Sequence, residues 1–349
     1  MQNKLVTEIF AGINSSDGYE SLLEGEISTC EKVFILKGSP GCGKSTLLKR
    51  LLANAIVRGE RITAVKCSAD PNSLDAVIFP EKSIAVADGT PPHVLEPTLP
   101  GVRETIINLS ENIDTDILTI NKNLLERLNA NKKRLYKAVY SLLSAVGRIS
   151  DSQEQILSKG MNDEKIAAFS ARFVKKHLKP SIHSAPSLFP VVCFCADGFV
   201  WLPINTKPIT YSVGDFCGCS EKILTHLCYA ALSSGVRVLV VPSPVDARKP
   251  TALFFPDENI LVMSERYSTP EGEKHINPFR FIDNAYLKDN RGKLKFLNKI
   301  RTELIGQIQS IMIEAREVHG EIERIYTFAN DFAKADDTAD MLRGIIFGE

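Results

Sequence analysis

The sequence predicts an α/β protein of two tandem βαβ units with parallel sheets, residues 1–180 and 187–349, each carrying a long helical hairpin as an insertion or extension. Three observations predict it. An apolar run, a glycine-rich turn and a helix-period segment follow one another over residues 33–52, VFILKGSPGCGKSTLLKRLL. The chain matches itself without gaps at an offset of 176 positions. Each unit ends in a segment whose apolar residues recur at spacings of three, four and seven. At 349 residues the chain is also long enough that two units are the default expectation.

Composition narrows the class. The chain is 44% hydrophobic and 24% charged, with 42 basic residues against 42 acidic ones. A net charge of zero lacks the bulk electrostatic footprint of a protein built to coat nucleic acid or an anionic membrane. No run approaches the roughly 18 apolar residues of a membrane helix. The segment MQNKLVTEIFAGINSSDGYE has no secretory pattern, and eight cysteines are too sparse for a disulfide scaffold. A soluble, cytoplasmic protein with reduced thiols is therefore expected.

The first unit opens on a strand, Val33 to Leu36. It leads into Gly38-Ser39-Pro40-Gly41-Cys42-Gly43-Lys44-Ser45, which matches G-x-x-x-x-G-K-[ST]. A helix with Leu47, Leu48, Leu51 and Leu52 on its inner face follows. Glycines let successive backbone N–H groups converge on an anion with no Cβ in the way. The positive end of the helix dipole adds to that field. Lys44 is expected to neutralise the β- and γ-phosphates of ATP, and the Ser45 hydroxyl to complete Mg²⁺ coordination. Thr46 is placed for the α-phosphate. The whole segment Gly38–Thr46 is thus the expected ATP–Mg²⁺ cradle.

Such a cradle needs an acid at the end of a neighbouring strand, and Ser83-Ile-Ala-Val-Ala-Asp88 supplies one. Asp88 is the expected second Mg²⁺-linked residue and, with Lys44, the expected catalytic pair; the competing reading is a plain Asp-Gly turn. Asp70 also lies where a strand ends, fit either to touch substrate or to cap its turn. His93 follows Asp88-Gly-Thr-Pro-Pro and either reaches the γ-phosphate region or is a loop residue.

At the 176-residue offset, positions 59–84 lie over 235–260 with 8 of 26 identities, among them Gly59/Gly235, Asp70/Asp246 and Phe79/Phe255. The glycine loop then falls on residues 214–222. Ser220 stands over Lys44, Glu221 over Ser45 and Ser264 over Asp88. A carboxylate at the metal position repels phosphate, so the second unit is expected to be a degenerate copy.

The helical segments carry Leu124, Leu128, Leu135, Val139, Leu142 and Val146 in the first unit and Leu304, Ile308, Ile311, Val318 and Ile322 in the second. Narrow apolar stripes flanked by charge point to helices packed along a coiled-coil-like seam, burying one another, bridging the units or binding a protein partner. Two Cys-x-Cys pairs, Cys193/Cys195 and Cys217/Cys219, are spaced too tightly for a structural zinc site and read as buried thiols. Cys42 inside the loop is a possible oxidation point. Arg103, Arg127, Arg134, Arg148 and Arg172 include candidate transition-state arginines, with no motif to select one.

On the loop Phe34–Thr46, the segment Cys67–Asp75 and the segment Asp88-Gly-Thr-Pro-Pro-His93-Val-Leu-Glu-Pro97, the chain resembles the P-loop NTPases. More narrowly it resembles an uncharacterised tandem-P-loop, ATPase-like family of Gram-positive bacteria. The resemblance implies Mg²⁺-dependent ATP hydrolysis coupled to a change of conformation or of partner. A kinase passing the γ-phosphoryl to a small acceptor and a non-catalytic nucleotide-gated scaffold are the alternatives. No N-K-x-D guanine signature is present, so the preferred base stays open.

Overall fold

Strand β4 (Lys32–Lys37) forms where the first apolar run lies, and it is buried on both sides. Val33 and Ile35 enter one core, Phe34 and Leu36 another. A strand covered on both faces needs no polar alternation, which is why the run reads as continuously apolar. The structure, a computed structural model, describes residues 5–111, 113–181, 186–267 and 274–348.

Among the described residues there are two six-stranded sheets. The first has the order β1 (Val6–Phe10), β5 (Ile62–Lys66), β6 (Leu74–Phe79), β7 (Ile84–Asp88), β4 and β8 (Glu104–Asn108). The second runs β9 (Ser187–Leu188), β13 (Leu239–Ser243), β14 (Asp246–Phe255), β15 (Ile260–Ser264), β12 (Ile209–Val213) and β16 (Lys274–Ile276). Each position in the second order is the first-sheet strand eight numbers earlier, and each pairing has the same sense. Two-stranded ribbons, β2 (Gly12–Ser15) with β3 (Gly18–Ser21) and β10 (Val192–Cys195) with β11 (Gly198–Trp201), complete the β structure.

The expectation of parallel sheets is corrected. Both sheets are mixed: β6 and β14 run antiparallel to both neighbours. Their connections decide this. Residues 67–73 join β5 to β6 and 80–83 join β6 to β7, whereas a parallel crossover takes about a dozen residues or more.

The sheets face each other across one shared core. Ile9, Ile35, Val65 and Ile78 meet Val192, Val241, Phe254 and Met263 there. Helices cover the outer faces. On the first sheet, α2 (Lys44–Val57) buries Leu47, Leu48, Leu51 and Ala55. On the second, α6 (Cys219–Ser233) buries Ile223, Leu224, Leu227 and Ala231.

The second helix on each outer face is exchanged. Helix α5 (Asp163–His177), which follows the first sheet in sequence, packs Ile166, Phe173 and Val174 against α6. Helix α8 (Ala333–Phe347), which follows the second sheet, packs Ala339, Leu342 and Ile346 into the core under α2.

The long helices make this exchange possible. Helix α4 (Lys122–Ser158, 37 residues) and α7 (Asn284–Ala329, 46 residues) lie antiparallel along each other. Leu125 and Leu135 share a cluster with Val318 and Ile322 at one end, and Val139 and Leu143 share one with Ile308 and Met312 further along. The expectation of one helical hairpin per unit is corrected accordingly: the seam joins a helix from each half of the chain. Two narrow apolar stripes of matched length bury each other more completely than either buries itself against a short neighbour. Helix α1 (Leu23–Ile27) adds Leu23 and Ile27 to the shared core, and the short α3 (Thr115–Ile120) packs on the helix pair.

Candidate functional site

The glycine-rich segment connects β4 to α2 at the carboxyl ends of the parallel strands, the edge where open α/β sheets collect their ligands. Gly41 and Gly43 both take left-handed backbone angles, φ 75° and 93°, and Gly43 is the N-cap of α2. Only glycine adopts these angles without strain, which accounts for the motif's glycine before Lys44 and for the additional glycine at position 41. A Cβ on Gly38 would meet Cys42 Sγ at 2.5 Å, so that glycine is required by packing. The turn is tied down by Ser39 N–H donating to Ser110 Oγ at 2.9 Å. Pro40, between the glycines, is half-buried, and Thr46 on the first turn of α2 is exposed.

Lys44 is buried, and its ammonium donates to the carbonyls of Gly38 and Ser39 at 2.9 Å each. It also lies 3.8 Å from Asp88 Oδ2. The other Asp88 oxygen accepts from the N–H and hydroxyl of Thr90, at 2.8 and 2.6 Å. Burial pushes the Asp88 carboxyl up, and Lys44 and Thr90 oppose the shift. Ser45 Oγ accepts from Leu74 N–H at 3.0 Å, at the first residue of β6. Cys42 is buried and burial pushes its thiol up, so it is not the exposed, ionised thiol that oxidation requires.

Three further residues, Asp75, His93 and Tyr19, gather beside this group. In the β6–β7 ladder Ala76 pairs with Ala87, which sets Asp75 beside Asp88 across the strands. Asp75 is buried, and its Oδ2 lies 2.8 Å from His93 Nε2. The Tyr19 hydroxyl lies 2.9 Å from His93 Nδ1, and burial followed by the charge of Asp75 pushes that phenol far up. His93 is therefore buried against both Tyr19 and Asp75. Lys37 holds its loop in place by donating to the carbonyls of Gly89 and Leu95. Asp75 closes the segment Cys67–Asp75, and its place opposite Asp88 follows only from the antiparallel register. Asp70 caps its turn, accepting from Asn72 N–H and Ser73 Oγ.

One end of the helix pair lies over the loop. A Cβ on Gly41 would come within 2.5 Å of Thr327 Oγ1 and 2.8 Å of the Glu323 carbonyl, so α7 touches the loop backbone directly. Lys132 on α4 sits 2.8 Å from His319 Nδ1 on α7. Burial, then the charges of Lys132 and Lys44, depress His319 to about 4. Burial raises Glu323, with Asp70 adding to the shift. The Lys44 charge at the loop acts on both His319 and Glu323 of this helix end.

The second loop corrects the ungapped alignment. Leu36 pairs with Asp88 in the first sheet and Val213 with Ser264 in the second, so these residues correspond. Gly43 and Gly218 are both left-handed N-caps, φ 93° and 92°. Between these anchors lie residues 37–43 in one case and 214–218 in the other, a loop two residues shorter. Cys219, not Ser220, stands at the position of Lys44; Ser220 matches Ser45, and Glu221 matches Thr46.

The shorter loop is filled from within. Asp215 accepts from Gly218 N–H at 3.0 Å, Ser220 N–H at 3.1 Å and Ser220 Oγ at 2.6 Å. A carboxylate thus sits on amides arranged like those that hold an anion at a helix N-terminus. The Arg266 guanidinium presses against Gly218 and pairs with Glu221 at 3.2 Å; both are buried. Lys222 is taken up by Asp163 at 2.6 Å.

The remaining sequence candidates fall elsewhere. Cys193 and Cys195 are buried in the core between the sheets, and among the described residues no cluster of His, Cys, Asp and Glu is arranged to hold a metal. Arg103 donates to the carbonyls of Ile27 and Cys30 and pairs with Glu104, and Arg134 lies beside Asn131 and Glu314 on the helix pair. Among the described residues no helix is long and apolar enough to cross a membrane. No protein-family model, curated protein or solved structure matches the chain.

Proposed function

We propose that the chain is a P-loop NTPase of two tandem units, of which the first binds ATP–Mg²⁺ and hydrolyses it and the second is internally closed. The observation that carries this reading is a conjunction at one strand end: two left-handed glycines, the buried Lys44 ammonium, the Ser45 hydroxyl and Asp88. In the proposed complex Lys44 leaves the carbonyls of Gly38 and Ser39 for the β- and γ-phosphate oxygens. The amides of residues 41–46 hold the phosphate chain, and Ser45 and Asp88 face the Mg²⁺. The metal's part is to neutralise phosphate charge; the chain's own part is to fix the geometry and exclude competing anions. The contrast with the second loop supports the assignment, since there a carboxylate already occupies the amides and cysteine replaces the lysine.

One observation favours coupling to a movement over simple turnover. Helix α7 rests on Gly41, so a bound triphosphate bears on the contact between the loop and the helix pair. A nucleotide-gated scaffold without turnover makes the same use of this contact. The deciding experiment follows melting temperature across nucleotides with and without Mg²⁺, then measures phosphate release with no acceptor added. Mg²⁺-dependent stabilisation that disappears in Lys44→Ala is expected. Phosphate release identifies the NTPase, and binding without release the scaffold. Stabilisation of Lys44→Ala equal to wild type defeats both.

A further inference from the structure

Beside the first turn of α2 a cleft of about 230 Å³ opens between α2 and α8. Gly43, Thr46, Leu47 and Arg50 line it from one side, and Phe332, Ala335 and Asp336 from the other. Gly43 and Thr46 belong to the glycine loop, so the cleft continues directly from the amides proposed to hold phosphate. Arg50 pairs with Asp336 across it. Phe332, at the N-cap of α8, leaves 39% of its surface exposed although its ring edge lies 3.5 Å from the position of a Cβ on Gly43. A partly exposed aromatic ring thus borders a cleft next to the proposed anion cradle.

We infer that this cleft takes the purine of the bound nucleotide, with the base stacked on Phe332 and the Arg50–Asp336 pair at its rim. The inference rests on the phosphate-loop reading and deepens it. A triphosphate running along the loop brings its α-phosphate to Thr46, and the nucleoside leaves from that end. Phe332 and Asp336 share the cleft with Gly43 and Thr46, whereas Asp88, beside the Lys44 ammonium, is not part of its lining. Stacking on an aromatic ring tolerates different bases and adds affinity without reading sequence-specific edges. The exchange of α8 gives this arrangement its consequence: the residues that recognise the base come from the end of the chain, after the second sheet, while those that hold phosphate come from the first. A nucleotide spanning both ties the exchanged helix to α2.

The test compares ATP with inorganic tripolyphosphate, a probe that has the phosphate chain and no base, by calorimetric titration of the full-length protein. Wild type binds both. Phe332→Ala is expected to weaken ATP about tenfold, the lower range of a lost base stack, and to leave tripolyphosphate unchanged. Phe332→Tyr keeps a ring and is expected to bind ATP as wild type does. Unchanged ATP affinity in Phe332→Ala overturns the assignment. Equal weakening of both ligands also overturns it, because the ring then supports the loop and not the base. Failure of wild type to bind tripolyphosphate or ATP is a failure of the phosphate-loop reading itself, which Lys44→Ala reports separately by losing both ligands.

Discussion

The Asp215 carboxylate accepts two hydrogen bonds from Ser220, one from its N–H at 3.1 Å and one from its hydroxyl at 2.6 Å, and so occupies the helix N-terminus of the second loop. Removing it in Asp215→Ala leaves those donors unsatisfied, at about 1–3 kcal/mol of stability. It also frees an anion nest. Inorganic phosphate is expected to raise the melting temperature of Asp215→Ala and not that of wild type. Equal shifts in both proteins show that the carboxylate is not what closes this loop.

Lys44→Ala and Ser220→Ala are expected to separate binding from stability. Lys44→Ala removes a charge-assisted contact to phosphate and weakens nucleotide at least about tenfold. Ser220→Ala breaks buried hydrogen bonds to Asp215 and Ser264, costing about 1–3 kcal/mol, with nucleotide affinity unaltered. Isothermal titration and chemical denaturation of the two variants check this. Loss of nucleotide affinity in Ser220→Ala contradicts the closed second loop.

Asp88 offers a prediction with a definite sign. Its carboxyl is held above the ordinary range by burial, so the folded protein binds that proton more readily than the unfolded chain does. Stability conferred by the protonated form is therefore lost as pH rises from the ordinary carboxylate value through the raised one. Asp88→Asn still accepts from Thr90 and carries no charge. The empty variant is expected to melt no lower than wild type at pH 8, with the comparison turning against the variant as pH falls. Its Mg²⁺-dependent stabilisation by ATP is expected to vanish. Unaltered Mg²⁺ dependence removes Asp88 from the site.

His319 gives the opposite slope. Its folded value near 4 lies below the unfolded 6.5, so between these limits the unfolded chain binds more protons. The stability it contributes is present above pH 6.5 and is lost as pH falls toward 4. Melting temperature across that range is expected to drop in wild type and to drop less in His319→Gln. Identical profiles show that Lys132 and its neighbours, not this imidazole, govern the acid response of the helix end.

The helix exchange is tested at Leu342, fully buried on α8 in the core under α2. Leu342→Ala is expected to cost about 2–5 kcal/mol and to speed hydrogen exchange in α2, residues 44–57, more than in α6. Exchange that instead rises in α6 contradicts the crossing.

What local order could announce, the sequence announced. The run Val33–Leu36, the glycines at positions 41 and 43 and the leucines of α2 are set by neighbours within a few residues, so strand, loop and helix are legible without any distant contact. The seam helices were legible in period but not in partner, because a stripe of apolar residues records that a face must be buried and not what buries it. Only tertiary structure paired α4 with α7 and sent α5 and α8 to opposite sheets. The ungapped self-match was misleading for a related reason. Strands β5, β6 and β7 correspond to β13, β14 and β15 at an offset of 176, but β4 is displaced to 177 and α2 to 175. Similarity summed along the chain averages such shifts away, whereas hydrogen-bond register does not tolerate a one-residue error. The same register placed Asp75 beside Asp88. Tyr19 on the β2–β3 ribbon and His93 in the loop after β7, 74 positions apart, become neighbours only through tertiary packing, and that energy is nonlocal.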